Sequence, residues 1–300
     1  MGCGGSKESG KQYELRTKVI PALRRELEGH EKAHGPKHPL TLAKLNDLAI
    51  AVRSQDGMRF EAEPLFRRLL AGQEEALGPS HPETLLTVNN LMDIIVDQED
   101  KLDEAEALCR RLVEAKEEAL GPKHPDTLKE MDTLARVLSD FGSPERRLGK
   151  RDEALALYRR LREGYEEALG PTHPETLEAM CALASAMEEQ GKLDEAEALY
   201  RRALEGSQEA LGPSHPETLG AMNTLASAMK RQGKLDEAEA LLRRALEGYE
   251  EASDEHANAH WEAMRNLANL LEIRGEAAAA EELRAHFQAR RGVEGVDFEE

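Results

Sequence analysis

The sequence predicts an all-α fold, a right-handed superhelical solenoid in which helix pairs repeat along the chain. Within each unit, two segments place their apolar residues at helical spacing. Self-similarity at a fixed period indicates a repeat architecture, because one helix pair of this size cannot bury its own apolar stripe. Five copies of a G-P-x-H-P motif, at steps of 43, 43, 49 and 42 residues, begin at Gly35, Gly78, Gly121, Gly170 and Gly212.

Composition restricts the possible functions. The 300 residues include 40 basic and 59 acidic side chains, a formal net charge of −19. Such a chain lacks the basic face that phosphate contacts need, so we expect no nucleic-acid partner. Aromatic residues make up only 4%, which argues against a β-sandwich or barrel. Cys3, Cys109 and Cys181 show neither a disulfide framework nor metal-ligand spacing, which favours a cytoplasmic location.

The unit that begins at Gly170 shows how the first helix of each pair is built. His173 is placed to cap this helix, because Pro174 stands at its first position and suits a helix start. Gln190 and Gly191 end the helix. Its predicted core stripe is Leu177, Met180, Leu183, Ala184 and Met187.

The second helix opens with the acidic segment LDEAE, which suits the positive end of a helix dipole. We expect these carboxylates to form a solvated face, not a general acid and base. Glu197 and Arg201 stand four residues apart in the favourable order for an ion pair. Gly212 and Pro213 close the unit. The predicted core stripe is Ala196, Leu199, Tyr200, Ala203 and Leu204.

Eight positions of this unit match a known signature of large, small, glycine, aromatic and alanine residues. They are Leu183, Ala184, Met187, Gly191, Leu193, Ala196, Tyr200 and Ala203. The pattern resembles the tetratricopeptide repeat. The longer period of 42 residues, with HPxTL opening and GKLDEAExLYRRALE closing the unit, is similar to the repeats of kinesin light chains.

The resemblance covers residues 19 to 290 and implies the domain boundaries. A leader, 1–18, precedes a lone second helix, and an acidic tail that we expect to be disordered occupies 291–300. The insertion SPERRLG, Ser143 to Gly149, accounts for the long step. The half-repeat spans 19–34, and the helix pairs span about 39–77, 82–120, 125–169, 174–211, 216–252 and 259–290.

The resemblance also implies that the first helices line a concave groove for partner peptides. Positions two before and two after the signature leucine lie about 130° from the core stripe. Asparagine there could pair with the backbone of an extended peptide; the alternative is an ordinary wet surface. The first position reads Asn46, Asn89, Asp132, Cys181, Asn223 and Arg265. The second position reads Ile50, Asp93, Arg136, Ser185, Ser227 and Asn269.

No residue pattern predicts catalysis, a metal, a cofactor or a small-molecule substrate. The five motif histidines stand one per unit, which helix capping explains. His256 and His260 have the spacing of zinc ligands on a helix, but no third ligand accompanies them, and an exposed polar turn is the preferred interpretation. Neither Cys109 nor Cys181 has a base beside it, so both are interpreted as apolar fillers or groove-edge residues.

The amino terminus carries a separate signal. MGCGGSK fits the N-myristoylation pattern at Gly2, and Cys3 is placed for palmitoylation. One myristoyl chain binds membranes only marginally, so the second acyl group matters. The alternative is a flexible leader that matches by chance. With both lipids, the chain would lie at the cytoplasmic face of a membrane.

The sequence therefore predicts a non-catalytic scaffold or adaptor that binds protein or peptide partners and is tethered by its acylated amino terminus. The narrower alternative is a cargo adaptor in a kinesin motor complex. Kinesin light chains carry a heptad coiled coil before their repeats, and residues 1–18 are too few to form one. A remote alternative is an enzyme with an unrecognised site.

Overall fold

The computed structural model describes residues 14–55, 57–96, 98–139, 141–251 and 257–294. All regular elements among these residues are helical, which confirms the predicted all-α repeat fold. A π-helical turn, Leu15–Val19, precedes α1, and a 3₁₀ turn, Glu99–Lys101, precedes α5. The α-helices are α1 Ile20–His34, α2 Pro39–Arg53, α3 Arg59–Leu77, α4 Pro82–Ile95, α5 Leu102–Leu120, α6 Pro125–Ser139, α7 Pro144–Leu169, α8 Pro174–Glu189, α9 Leu193–Leu211, α10 Pro216–Arg231, α11 Leu235–Glu251, α12 Ala257–Ile273 and α13 Ala277–Glu294.

The helices pack into two compact units. Of the described residues, those up to Pro122 and Lys129–Lys150 form the first unit, and Lys123–Leu128 and those from Arg151 onward form the second. In the first unit α1 to α5 pack consecutively around a core centred on fully buried Leu45, Phe66 and Leu69. In the second unit α8 to α13 pack in the same manner. None of the described helices combines the length and apolarity needed to span a membrane.

The repeated linker motif is a self-contained turn. At the fourth copy, Gly170 has φ of +95°, a left-handed conformation that favours glycine. His173 Nδ1 accepts a hydrogen bond from the Glu175 backbone N–H at 3.3 Å. Thr176 Oγ1 donates to the Gly170 carbonyl at 2.7 Å. The other four motif histidines cap their helices in the same way, which confirms the capping prediction: His38, His81, His124 and His215.

A glycine in the second helix sets the closest approach within most pairs. A Cβ atom on Gly206 would lie 2.6 Å from Leu177 Cδ2, so no larger residue fits without movement of the leucine. The leucine is that of the HPxTL segment, and both residues recur in register. The same leucine–glycine contact occurs between Leu42 and Gly72, Leu128 and Gly164, and Leu219 and Gly248.

The predicted core stripes of the fourth complete pair are buried. Ala184, Ala196 and Met180 have no exposed surface, and the remaining predicted residues are buried except the half-buried Leu199. Glu197 and Arg201 form the expected ion pair at 2.9 Å. The sequence pattern therefore identified the packing face of both helices.

One prediction about the second helix was wrong in part. Asp194 and Glu195 are exposed, as expected of a solvated face, but Glu197 is only 6% exposed. It accepts hydrogen bonds from Arg201 in its own helix and from Lys234 before the next second helix. Glu197, the last acid of LDEAE, is therefore a buried link between repeats, because Lys234, just before the next second helix, donates a hydrogen bond to it.

The insertion between the third and fourth linkers is helical. Ser143 Oγ accepts a hydrogen bond from the Arg146 backbone N–H at 3.3 Å. Pro144 begins α7, and the insertion makes this helix 26 residues long. Arg146 donates to the Val137 carbonyl at 3.1 Å and to Glu106 at 2.9 Å. The extra residues therefore form the first turns of this helix, and their Arg146 contacts α5 and the end of α6.

The ends of the chain differ slightly from the predicted boundaries. The first described helical turn begins at Leu15, within the predicted leader, and α13 continues to Glu294, past the predicted end at 290. Residues 1–13, which include Gly2 and Cys3, lie outside the described residues, as do 295–300.

Candidate functional site

The predicted groove residues lie on the first helices of successive pairs, and each unit contributes its own row. We call the residues on α2, α4 and α6 the first inner row and those on α8, α10 and α12 the second inner row. The first inner row is Asn46, Ile50, Asn89, Asp93, Asp132 and Arg136. The second inner row is Cys181, Ser185, Asn223, Ser227, Arg265 and Asn269.

Two asparagines of the first inner row have unused hydrogen-bonding groups. Asn46 and Asn89 are half-buried, and within the described part of the chain neither side chain makes a hydrogen bond. Asp93 and Asp132 are also half-buried, whereas Ile50 and Arg136 are exposed. Each amide offers two donors and an acceptor, which are the groups that recognise a peptide backbone.

The charges beside this row are held by contacts within the first unit. Arg53 Nη1 donates to Asn90 Oδ1 at 2.8 Å and lies 3.7 Å from Asp93 Oδ2. Arg59 donates to the Asp93 carbonyl. Burial raises the pKa of Asp93 and Glu130 adds to this, while the two arginines oppose it. The positive charges of Arg53 and Arg59 beside Asp93 offset part of its negative field.

A cavity of about 370 Å³ opens between α2, α3 and α4, beside Asn46. This volume lies within the ~300–1,000 Å³ usual for ligand pockets. Gln73 is 5% exposed, and its Oε1 atom has no hydrogen-bond partner. Leu86 at the opening is 57% exposed, an unusually accessible apolar side chain. The lining residues are Pro39, Leu42, Ala43, Asn46, Asp47, Gln73, Ala76, Leu77, Glu83, Leu86 and Thr87.

The sequence reasoning missed this cavity. Only Asn46 among its lining residues belongs to the predicted groove. No clear signal for it was present in the sequence, because the position of Gln73 in the second helix carries tyrosine at Tyr165 and Tyr249 but also the shorter, equally buried Ser207.

The asparagines of the second inner row make hydrogen bonds within their own unit. Asn223 is only 7% exposed, and its Oδ1 accepts from Asn266 Nδ2 at 2.9 Å. The same Asn266 group lies 3.4 Å from Ser227 Oγ. Asn269 Oδ1 accepts from Arg284 at 3.4 Å, and Arg265 is exposed. The Asn223 Oδ1 atom therefore already has a partner on the neighbouring first helix, unlike the side chains of Asn46 and Asn89.

The cysteines lie in environments that favour the neutral thiol. Burial raises the pKa of Cys181 to about 11, with a smaller contribution from Glu178. Burial likewise raises the pKa of Cys109 to about 12, with contributions from nearby acids. A nucleophilic cysteine needs a lowered pKa, so neither environment activates a thiolate near neutral pH. Ser185, next to Cys181 along the row, is exposed.

His260 lies in a helix, not in an exposed turn as its sequence context suggested. It is 9% exposed in α12, with its ring 5.6 Å from that of Trp261 and 6.1 Å from that of Tyr249. His256, four residues before it, is outside the described residues. Among the described residues, no three histidine, cysteine or acidic side chains converge as metal ligands.

Comparison with known families agrees with this geometry. Two profiles, both described as tetratricopeptide repeat, match residues 142–209 and 188–251 and residues 41–83 and 98–126. Together these matches cover more than half of the chain. The chain belongs to the tetratricopeptide-repeat family. Such repeats support a role as a protein-interaction scaffold. No curated protein sequence matches this tetratricopeptide-repeat chain significantly.

Solved structures with similar folds include kinesin-light-chain-like repeat proteins. Nearly identical TPR-like repeats from a Podosopora anserina protein, assigned as a kinesin light chain, share 23% identity and a TM-score of 0.59, covering 72% of this chain and 99% of theirs. BtubC (BKLC) from P. vanneervenii shares 19% identity with a TM-score of 0.57, covering 78% and 91%. Aspartyl phosphate phosphatase F from Bacillus subtilis shares 13% identity and a TM-score of 0.59, covering 98% and 77%. The long repeat thus places this tetratricopeptide-repeat protein in the kinesin-light-chain-like type.

Proposed function

We propose that this protein is a non-catalytic scaffold that binds partner peptides along its inner rows, mainly through the first unit. The supporting observation is that Asn46 and Asn89 hold partly accessible amides that make no hydrogen bond within the described part of the chain. An extended peptide could satisfy both amides with its backbone groups.

The second helices of the pairs differ from the first inner row, because their charged side chains already have partners. Arg67 of α3 bonds Glu104 of α5 at 2.6 and 2.8 Å, and Arg201 of α9 bonds Glu237 of α11 at 2.9 Å. These charged groups are already occupied in holding successive second helices together. A ligand that used them would first have to break existing ion pairs, so the outer face is the poorer binding surface.

A peptide array probed with the full chain tests the proposal. We expect that replacing Asn46 and Asn89 together with alanine weakens array-selected peptides by about tenfold or more, since two hydrogen-bonding side chains are lost. Thermal stability should change little. The control is Glu118→Ala on the exposed face of α5, which should leave peptide binding unchanged. If the control loses the peptides and the asparagine variant retains them, binding is on the outer face.

The membrane tether is a second part of the proposal. It is supported by the MGCGGSK sequence, in which Gly2 and Cys3 match the positions of myristoylation and palmitoylation. An acyl anchor would place the scaffold at the cytoplasmic face of a membrane without a spanning helix.

The alternative function is a cargo adaptor in a microtubule motor complex. It is favoured by the fold shared with the Podosopora anserina repeats, one variant of which is 26% identical to this chain. Co-purification of the full chain with a kinesin heavy-chain stalk would support this alternative. If the stalk does not retain the chain, the motor-adaptor function is contradicted and the general scaffold function stands.

A further inference from the structure

Helix α1 carries the packing glycine of a second helix but has no first helix of its own beside it among the described residues. In four complete pairs, a leucine of the first helix lies only 2.5 to 2.6 Å from a Cβ atom placed on the glycine of the second helix. Gly29 stands at the same register of α1, where RRELEGHEKAHG aligns with RRALEGSQEALG. Within the described part of the chain, nothing lies within 4 Å of a Cβ atom placed on Gly29. The place that a leucine fills in the other pairs is therefore open at α1.

The residues around this glycine form one line along α1. We call this line the open seam: Val19, Ala22, Glu26, Gly29 and Ala33. Successive members stand three or four residues apart in alternation, which places them on one side of a helix and is the spacing that packs against a second helix. Val19 is 36% exposed, and the other four residues are exposed as well. The open seam is therefore an accessible helix-packing surface with a single charged member.

The charged member, Glu26, departs from the complete pairs. Their second helices carry a buried apolar residue at this position: Leu69, Leu112, Leu161, Ala203 and Ala245. In the fourth complete pair, Ala203 packs with Leu177 and Met180 of its own first helix. Leu177 is also the leucine that contacts Gly206. A helix that docked on α1 in this register would therefore place one residue against Gly29 and the residue three positions later against Glu26.

Glu26 determines the charge that the docked helix must carry. A carboxylate covered by apolar side chains is costly unless an opposite charge pairs with it. Lys44 of α2 lies 3.2 Å from Glu26, but it also pairs with Asp47 at 3.3 Å, so its charge is shared. The net charge of −19 on the whole chain further favours a cationic partner. The helix that fits the open seam has a leucine opposite Gly29 and a lysine or arginine opposite Glu26.

We propose that the open seam is a docking surface for an amphipathic helix of a partner protein that contains L-x-x-K or L-x-x-R. The leucine packs on Gly29 as Leu177 packs on Gly206, and the cation three residues later pairs with Glu26. Hydrophobic packing supplies the contact, and the ion pair selects the partner. The open seam shares no residue with the first inner row, so this inference goes beyond the proposed peptide-binding function.

Two synthetic peptides test the charge requirement on the full chain by fluorescence anisotropy. The parent peptide has the sequence of residues 173–191, a first helix that contains Leu177 and Met180. The lysine peptide is identical except for Met180→Lys. We expect the lysine peptide to bind about tenfold more tightly than the parent peptide, because it alone pairs with Glu26. Equal affinities of the two peptides, or no binding of the lysine peptide, would contradict the proposal.

Two pairs of variants of the full chain locate the binding surface. Gly29→Leu fills the place of the incoming leucine and should abolish binding of the lysine peptide. Its control is Gly149→Leu, since Gly149 is another helical glycine with nothing within 4 Å of a Cβ atom, and binding should persist. Glu26→Gln should make the two peptides bind equally, whereas Glu28→Gln, which removes an exposed charge from the same helix, should preserve the preference for lysine. Melting by circular dichroism checks that all four variants fold.

The remaining outcomes identify other occupants of the open seam. If the natural chain is a dimer in sedimentation and Gly29→Leu dissociates it, a second copy covers the seam and the proposal is wrong. It is also wrong if the lysine peptide binds only after residues 1–13 are removed, because the leader then covers the seam. Should Gly29→Leu fail to fold, the comparison of Glu26→Gln with Glu28→Gln decides. The groove function is tested separately, because Asn46 and Asn89 lie on other helices.

Discussion

At the scale of single residues, glycine decides how closely paired helices approach. Gly206 faces Leu177 with no room for a Cβ atom, whereas Gly149 in α7 has nothing within 4 Å of such an atom. Both are interior helix positions, where alanine is intrinsically preferred by about 1 kcal/mol. The two positions therefore separate the effect of packing from the effect of helix propensity.

We predict that Gly206→Ala lowers the free energy of unfolding by about 1 to 3 kcal/mol, because the added methyl group overpacks the contact with Leu177. Gly149→Ala should raise it by up to about 1 kcal/mol, since only helix propensity changes there. Urea denaturation followed by circular dichroism measures both. A Gly206→Ala chain as stable as Gly149→Ala would show that Leu177 moves aside without cost.

At the scale of helices, buried carboxylates connect one repeat to the next. Glu197 of α9 binds Arg201 and Lys234, and Glu63 of α3 binds Arg67 and Lys101 in the same way. Burial alone would raise the pKa of Glu197, but hydrogen bonds from Lys234 and Arg201 outweigh it, and the pKa lies below its usual value. The ionised form is therefore favoured in the folded chain.

This direction sets a pH dependence. Because the folded pKa of Glu197 lies below the unfolded value of about 4.3, the native state binds fewer protons, and its contribution is present above that pH. The contribution is lost as the pH falls through the folded pKa. We predict that Glu197→Gln costs about 1 to 3 kcal/mol at pH 7 and flattens the loss of stability on acidification.

Glu195→Gln is the matched control for this prediction, since Glu195 is exposed in the same helical turn. It should change neither the stability at pH 7 nor its pH profile by more than about 0.5 kcal/mol. Urea midpoints measured between pH 3 and pH 7 compare the two variants. Identical profiles for both would mean that the buried carboxylate does not link the repeats energetically.

At the scale of the whole molecule, the acidic chain should depend on acyl groups for any membrane attachment. A net charge of −19 is repelled by anionic lipids, so electrostatics cannot assist an anchor. Each buried methylene contributes about 0.8 kcal/mol, which makes two acyl chains sufficient for stable attachment and one chain insufficient.

We predict that Gly2→Ala prevents both acylations and releases the protein from membranes. Cys3→Ser should leave weak, reversible association through the myristoyl group. Neither change should alter helicity, because both residues precede the first repeat helix. Intact-mass measurement and membrane fractionation from a eukaryotic host check this. An unmodified Gly2, or membrane fractionation that is unchanged by Gly2→Ala, would contradict the tether and leave an untethered scaffold.

The sequence by itself determined the features that depend on neighbours along the chain. The five G-P-x-H-P turns, the histidine caps and the apolar stripes of each helix all followed from signals a few residues apart. His173 caps α8 through a bond to Glu175, two residues away, and Glu197 meets Arg201 four residues away. Such contacts depend only on the local sequence, so the sequence alone was enough to predict the repeat.

Only the tertiary structure decided which inner-row groups remain available. The amide oxygen of Asn223 accepts a hydrogen bond from Asn266, 43 residues away. The carboxylate of Glu197 accepts one from Lys234, 37 residues away. The cavity at Gln73 lies where side chains of α2, α3 and α4 meet. These properties depend on how neighbouring repeats stack, and a pattern within one repeat does not contain that information.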